Sequence, residues 1–138
     1  MKKILVAVDG SDHSAKALDY VADRRKRDEK LVVLALHVQP EIPPSRFVPK
    51  NMIENYQAAE AEKALRNPKI RKLLDELEAD SYQEIGDVAE TIVKFSNKTG
   101  CHEIVIGNRG LGRLKGLLMG SVATKVAQLA DRPVVLIK

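Results

Sequence analysis

The run Ile4-Leu5-Val6-Ala7-Val8, followed at once by Asp9-Gly10-Ser11, is short, apolar and rich in β-branched residues. It does not alternate with polar positions, which is how a strand covered by helices on both faces reads. Three similar runs follow, Leu31 to Val38, Ile104 to Ile106 and Val134 to Ile137. Between them the apolar residues fall at helical spacing: Ala15, Leu18 and Ala22, then Val88, Ile92 and Phe95, then Val122, Val126 and Leu129. Strands that alternate with helices in this way predict right-handed βαβ crossovers, a parallel sheet and an α/β fold.

The middle of the chain carries a weaker pattern. Gln39 to Lys50 holds four of the six prolines and reads as an extended loop, with a polar helix from about Met52 to Leu65. Pro68 breaks or restarts that helix. A further strand is expected near Ser81 to Ile85, because helical segments flank it and a parallel crossover must return somewhere. The run Arg24-Arg25-Lys26-Arg27 is followed by Asp28-Glu29 and reads as a solvated end of the first helix.

Composition narrows the function. The chain has 138 residues, the size of one domain spanning 1–138, with 23 Lys plus Arg against 19 Asp plus Glu and a net charge of +4. That excess is mild, and five aromatic residues in all offer little for base stacking, so no nucleic acid is expected as partner. The N-terminal apolar run is too short for a membrane span or a signal-peptide core, so no membrane association is expected. One cysteine, Cys101, cannot close an internal disulfide, which points to a reducing, cytoplasmic setting and an unreactive thiol. His13, His37 and His102 stand at no ligand spacing, so no metal site is expected, and His37 is assigned to packing or a local hydrogen bond. No nucleophile elbow with its Ser-His-Asp partners occurs, so no catalytic residue is assigned.

The segment Gly107 to Ser121 carries the chemistry. It has five glycines, the cations Arg109, Arg113 and Lys115, and no acidic residue, between a strand and the start of a helix. Glycines let amides approach an anion closely, and a helix N-terminus adds uncapped N–H groups at the positive end of its dipole. Either this is a phosphate site or it is a connection that only has to turn. A P-loop is excluded because Gly112 precedes Arg113-Leu114 instead of Lys and a hydroxyl residue. A dinucleotide fingerprint fails as well, since Gly116 falls one residue late after Gly110 and Gly112. The pair Asp9 and Asp12 would suit a phosphorylated receiver domain, but such a domain wants a further Asp after its third strand, where only Gly86-Asp87 stands. Asp9 has a second reading, as N-terminal cap of the first helix.

The spacing Gly107-x2-Gly110-x9-Gly120-Ser121 resembles the G-2x-G-9x-G-[S/T] signature of ATP-binding universal stress proteins, matching at each specified position. The likeness extends along the chain. Ile4 to Ser11 is similar to the first strand and turn of that family, Leu34 to Val38 to its second strand, Gly86 to Ile92 to the start of its third helix, and Arg132 to Ile137 to its fifth strand. Gln39 to about Gln83 departs from the family pattern, and Arg113 stands where many relatives have glycine.

The resemblance implies an open five-stranded parallel sheet in the order 3-2-1-4-5 with helices on both faces, a Rossmann-like layout akin to adenine nucleotide α-hydrolases. A nucleotide is then expected where the strand order reverses, between strand one, ending at Asp9, and strand four, ending at Gly107. It further implies that Asp9 lies near the nucleotide and that the Val38 backbone meets the adenine edge. Gly107 and Gly110, with Arg109 between them, fall near ribose and phosphates; Gly120, Ser121 and Val122 surround the phosphates. The implied ligand is ATP with Mg or Mn, and the implied assembly is a homodimer through Pro133 to Ile137. The implied role is a nucleotide-dependent regulatory module of the stress response. A slow ATPase or phosphotransfer enzyme is the alternative, with at most weak hydrolysis expected, and a nucleotide-free dimeric interaction protein is the third reading.

Overall fold

The computed structural model describes residues 1–27, 30–109 and 119–138. Along the chain run β1 (Lys2–Ala7), α1 (Asp12–Arg27), β2 (Leu31–Pro40), α2 (Lys50–Leu65), α3 (Pro68–Glu76) and β3 (Asp80–Gly86). They are followed by α4 (Val88–Thr99), β4 (Glu103–Gly107), α5 (Ser121–Leu129) and β5 (Val134–Ile137). The strands form one five-stranded sheet in the order β3-β2-β1-β4-β5, and every pairing in it is parallel. The α/β architecture and strand order expected from the sequence are therefore those of the structure.

Period-two alternation divides the core between two layers. Ile4 and Val6 of β1, with Val33 and Ala35 of β2, pack under α1 and α3 against Leu18, Val21, Ile70 and Leu74. Leu5 and Ala7, with Leu34, Leu36 and Val38, face the other way and pack against Ile92, Phe95 and Val126 of α4 and α5. Both faces of the central strands are thus apolar, which explains their unbroken hydrophobic runs.

Several boundaries move from their expected places. β1 ends at Ala7, short of Asp9, although the Val8 amide still donates to the Leu36 carbonyl at 2.8 Å. β2 runs on past Val38 because Gln39 and Pro40 pair with Ile85 and Gly86 of β3. The expected loop therefore gives up its first two residues to the strand, and its last, Lys50, begins α2. Pro68 does restart the helix. It occupies the first turn of α3, and the Asn67 side chain accepts the Lys69 amide as cap. That extra break makes Gly86 to Ile92 the opening of the fourth helix among the described residues, where the family likeness suggested the third.

The basic run at the end of α1 is not simply solvated. Arg24 reaches across to hydrogen-bond Glu103, which opens β4 and is only 5% exposed. Lys2 adds a second cation to Glu103 at 3.4 Å, and the Arg24 guanidinium lies 5.6 Å from the Tyr20 ring centroid. The run also places positive charge on the α1 C-terminus, where the helix dipole favours it. Removing the guanidinium leaves a buried carboxylate short of its main partner. Arg24→Ala is expected to lower unfolding free energy by about 2–3 kcal/mol in urea titration, and Arg24→Met with Glu103→Leu to recover most of that loss. A single mutant as stable as the parent would show the pair to be energetically idle.

Candidate functional site

The site is built where the strand order reverses. β1 and β4 are neighbours, and the helices that follow them, α1 and α5, pack on opposite faces, so a crevice opens beyond their carboxyl ends. On the β1 side the chain turns at once. Asp9 Oδ1 accepts the Ser11 amide at 2.9 Å, and Gly10 adopts φ +87. Gly10 is needed for a second reason: a Cβ there would lie 3.0 Å from the Ala64 Cα, so α2 can rest directly on the turn. The Asn67 side-chain Nδ2 donates to the Gly10 carbonyl at 3.5 Å. Ser11, not Asp9, sits at the head of α1, its hydroxyl accepting the Ser14 amide at 3.2 Å.

On the β4 side the last strand residue is Gly107. A Cβ at this position would meet His13 Cβ at 2.8 Å, so the glycine allows the first turn of α1 to close over the end of β4. The next residue joins two elements. The Asn108 amide donates to the Ile137 carbonyl at 2.6 Å, and its carbonyl accepts the Gly120 amide at 2.7 Å. The start of α5 is thereby pinned above the end of β4. Gly120 is the N-cap of α5, in extended conformation and with no side-chain cap. The first amides of α5, those of Ser121, Val122 and Ala123, have no acceptor within the helix and point out of its positive end.

β2 supplies the third wall. The Leu36 carbonyl faces β1, where it accepts the Val8 amide. Backbone groups of a parallel strand alternate sides, so the Val38 N–H and C=O face the same way, into the space that β1 vacates after Ala7. His37 is buried beside them, its Nδ1 2.7 Å from the Val8 carbonyl and its Nε2 3.0 Å from Gln39 Oε1. This is the local hydrogen bonding expected of it.

These walls enclose a cleft of about 740 Å³, within the range of small-molecule sites. Asp9, Val38, Gly107, Arg109, Gly120, Ser121 and Val122 all line it. Gly110, the remaining residue expected there, lies outside the described residues, as do Arg113 and Lys115 of the same segment. The structure also brings in residues that the sequence did not assign to the site: Gln39 and Pro40 at the end of β2, Glu60 and Lys63 of α2, and Asn67 and Pro68 at the start of α3. Asn67-Pro68 did carry a signal, that of a cap followed by a first-turn proline. Lys63 carried none. Among the described residues no cluster of three His, Cys, Asp or Glu side chains is placed to hold a metal ion. Cys101 is buried at the far end of the sheet, its sulfur 3.3 Å from Thr99 Oγ1.

One ion cluster ties α5 to its neighbour. Asp87 caps α4 by accepting the Glu90 amide at 3.0 Å, and Lys125 of α5 lies 3.1 Å from its other oxygen and 3.6 Å from Glu90. The Glu90 amide first, and Lys125 second, hold the Asp87 carboxyl below the ordinary aspartate range. The hydrogen bond to Asp87 holds Lys125 above the ordinary lysine range. The carboxylate's stabilisation is therefore present above the unfolded value, ~3.9, and is lost as pH falls through the lower folded value. The melting-temperature gap between parent and Asp87→Asn should stay level from about pH 5 to 8 and close below about pH 4. A gap that persists in strong acid would show that the cap and ion pair do not depend on this charge.

A family model described as "Universal stress protein family" matches residues 1–138. The chain is 34% identical over 146 residues to universal stress protein YxiE of Bacillus subtilis, covering 99% of this chain and 98% of the relative. Among solved structures it is similar to that of MJ0577, with a TM-score of 0.77, 28% identity and coverage of 99% of this chain and 95% of the other. MJ0577 comes from Methanocaldococcus jannaschii. The universal stress protein of Archaeoglobus fulgidus in complex with dAMP superposes with a TM-score of 0.63 at 24% identity, covering 100% of this chain and 98% of that one, a likeness of fold.

Proposed function

The chain belongs to the universal stress protein family, and from that premise we propose that it binds ATP in the switch-point cleft and acts as a nucleotide-dependent regulatory module. One observation carries the reading. Two complementary surfaces face the same cleft, an uncapped helix N-terminus on α5 and a backbone donor–acceptor pair at Val38. The first suits phosphate and the second suits the edge of an adenine, with room for a ribose between them. The dAMP bound by the Archaeoglobus fulgidus relative supports an adenine nucleotide as the ligand class. Arg109 lines the cleft on the phosphate side. A divalent ion, Mg or Mn, would arrive on the nucleotide's own phosphates, where it supplies charge neutralisation.

Regulation is favoured over turnover. Efficient hydrolysis needs a group that orients the attacking water, and the side chain nearest that role, Asp9, already has one carboxylate oxygen holding the Ser11 amide. Addition of millimolar ATP with magnesium should raise the melting temperature by several degrees, since a ligand at a hundred times its Kd adds about 2.7 kcal/mol of stability. Gly120→Leu, which crowds the α5 amides at a position whose backbone tolerates a side chain, should abolish that rise while phosphate release stays near background. No shift with ATP would refute the reading. Rapid phosphate release lost on replacing Asp9 would replace it with the enzyme reading.

We also propose a homodimer through β5, in a protein that works in the cytoplasm. β5 is an edge strand whose four residues, Val134 to Ile137, are only half-buried, and an apolar edge of this kind is protected when a two-fold mate pairs with it. Light scattering should report twice the 15.3 kDa chain mass, and Val135→Lys should return it to the monomer mass. A monomeric parent protein overturns the dimer.

A further inference from the structure

The two hydrogen bonds of buried His37 make unequal demands. Its Nδ1 faces the Val8 carbonyl, which can only accept, so Nδ1 carries the proton. In the neutral ring Nε2 is then a bare acceptor, and it lies against the carboxamide of Gln39. A half-turn of that carboxamide exchanges its oxygen and nitrogen and gives Nε2 the N–H it needs. The carboxamide oxygen then occupies the far end of the group, which makes no hydrogen bond among the described residues. Gln39 is half-buried and lines the cleft next to Val38.

We propose that Gln39, oriented by His37, is a specificity residue that reads the 6-position of the purine. The inference rests on the adenine-nucleotide reading above. An exocyclic amino group has two N–H bonds; the Val38 carbonyl takes one and Gln39 Oε1 takes the other. A 6-oxo purine sets its carbonyl oxygen against Oε1, and the histidine prevents the carboxamide from turning to relieve the contact. His37, which also lines the cleft, is the positioning residue: it acts through the end of Gln39 that it occupies. Discrimination by a site built to accept a hydrogen bond is stronger than discrimination by shape, because the wrong base leaves polar groups opposed and unpaired.

The test is the ratio of dissociation constants for ITP and ATP, both as magnesium complexes, measured by titration on the full chain. Gln39→Leu should narrow the preference for ATP about tenfold, the residue of discrimination being that of the Val38 backbone. Gln39→Glu, which offers only oxygens, should keep the preference. His37→Phe frees the carboxamide to present either end and should narrow it as Gln39→Leu does. Should His37→Phe fail to fold, the two variants of half-buried Gln39 decide. An unchanged ratio in Gln39→Leu, or a ratio lost in Gln39→Glu, overturns the proposal while ATP binding by the parent protein leaves the wider reading standing. Absence of ATP binding by the parent protein overturns both.

Discussion

The constraint on which the cleft depends is the contact between Gly107 and the first turn of α1, where a Cβ would lie 2.8 Å from that of His13. It exists because β1 and β4 lie side by side and stop nearly together, so the helix leaving one must cross the end of the other. No larger residue at Gly107 would let that helix lie so low. The approach leaves the ends of β1 and β4 roofed on one face by α1 and open on the other, and the opening is the cleft. Much else is arranged to hold that geometry. Asn108 ties β4 both to the end of β5 and to the cap of α5, so the helix that points its amides into the cleft moves only with the sheet.

That rigidity matters for the chemistry of the α5 N-terminus. Helix ends are ordinarily satisfied by a side-chain cap or by water. Here the N-cap is a glycine with no side chain to offer, although Asn67 and Asp87 cap α3 and α4 in the same molecule. An anion that enters the cleft supplies what the sequence withholds at the start of α5. The same logic operates in miniature at β2, where the strand outruns β1 and leaves the Val38 backbone facing space instead of a neighbouring strand.

The fold was largely legible because its central strands are buried on both faces. β1, β2, β4 and β5 announce themselves as apolar runs, each found within two residues of its place at either end. β3 is different: Asp80 to Ile85 are exposed on both sides, so it has neither an apolar run nor an alternation to display, and only the need for a return crossover located it. The cleft divides along the same line. Gly107, Gly120 and Ser121 belong to a spaced motif and Asp9 to the turn after the first strand; they stand at the end of β4, the start of α5 and the end of β1, and their convergence follows from topology. Lys63 and Asn67 reach the cleft because α2 settles on Gly10, a tertiary contact that no spacing encodes, and Gln39 because β2 runs on past Val38. Arg24 was misread for a related reason. Its partner, Glu103, lies 79 positions away, and a charge run carries no mark of which member is buried.

The two sides of the cleft are therefore held in unlike ways. The side formed by β1, β4 and α5 is braced by parallel-sheet hydrogen bonds and by the double tie at Asn108. On the other side α3 is anchored in the core by Ile70 and Leu74, but α2 rests on the Ala64 contact with Gly10, on Asn67 just beyond it reaching the Gly10 carbonyl at 3.5 Å, and on Gln57 reaching the Pro40 carbonyl at 3.3 Å. α2 is also mostly polar along its length, with Met52 and Tyr56 left exposed, so little buried apolar surface fixes its position. A ligand that spans the cleft contributes contacts to both sides, and its binding energy falls most heavily on the side with least of its own. The element with least buried apolar surface of its own beside the cleft is thus α2, an exposed helix.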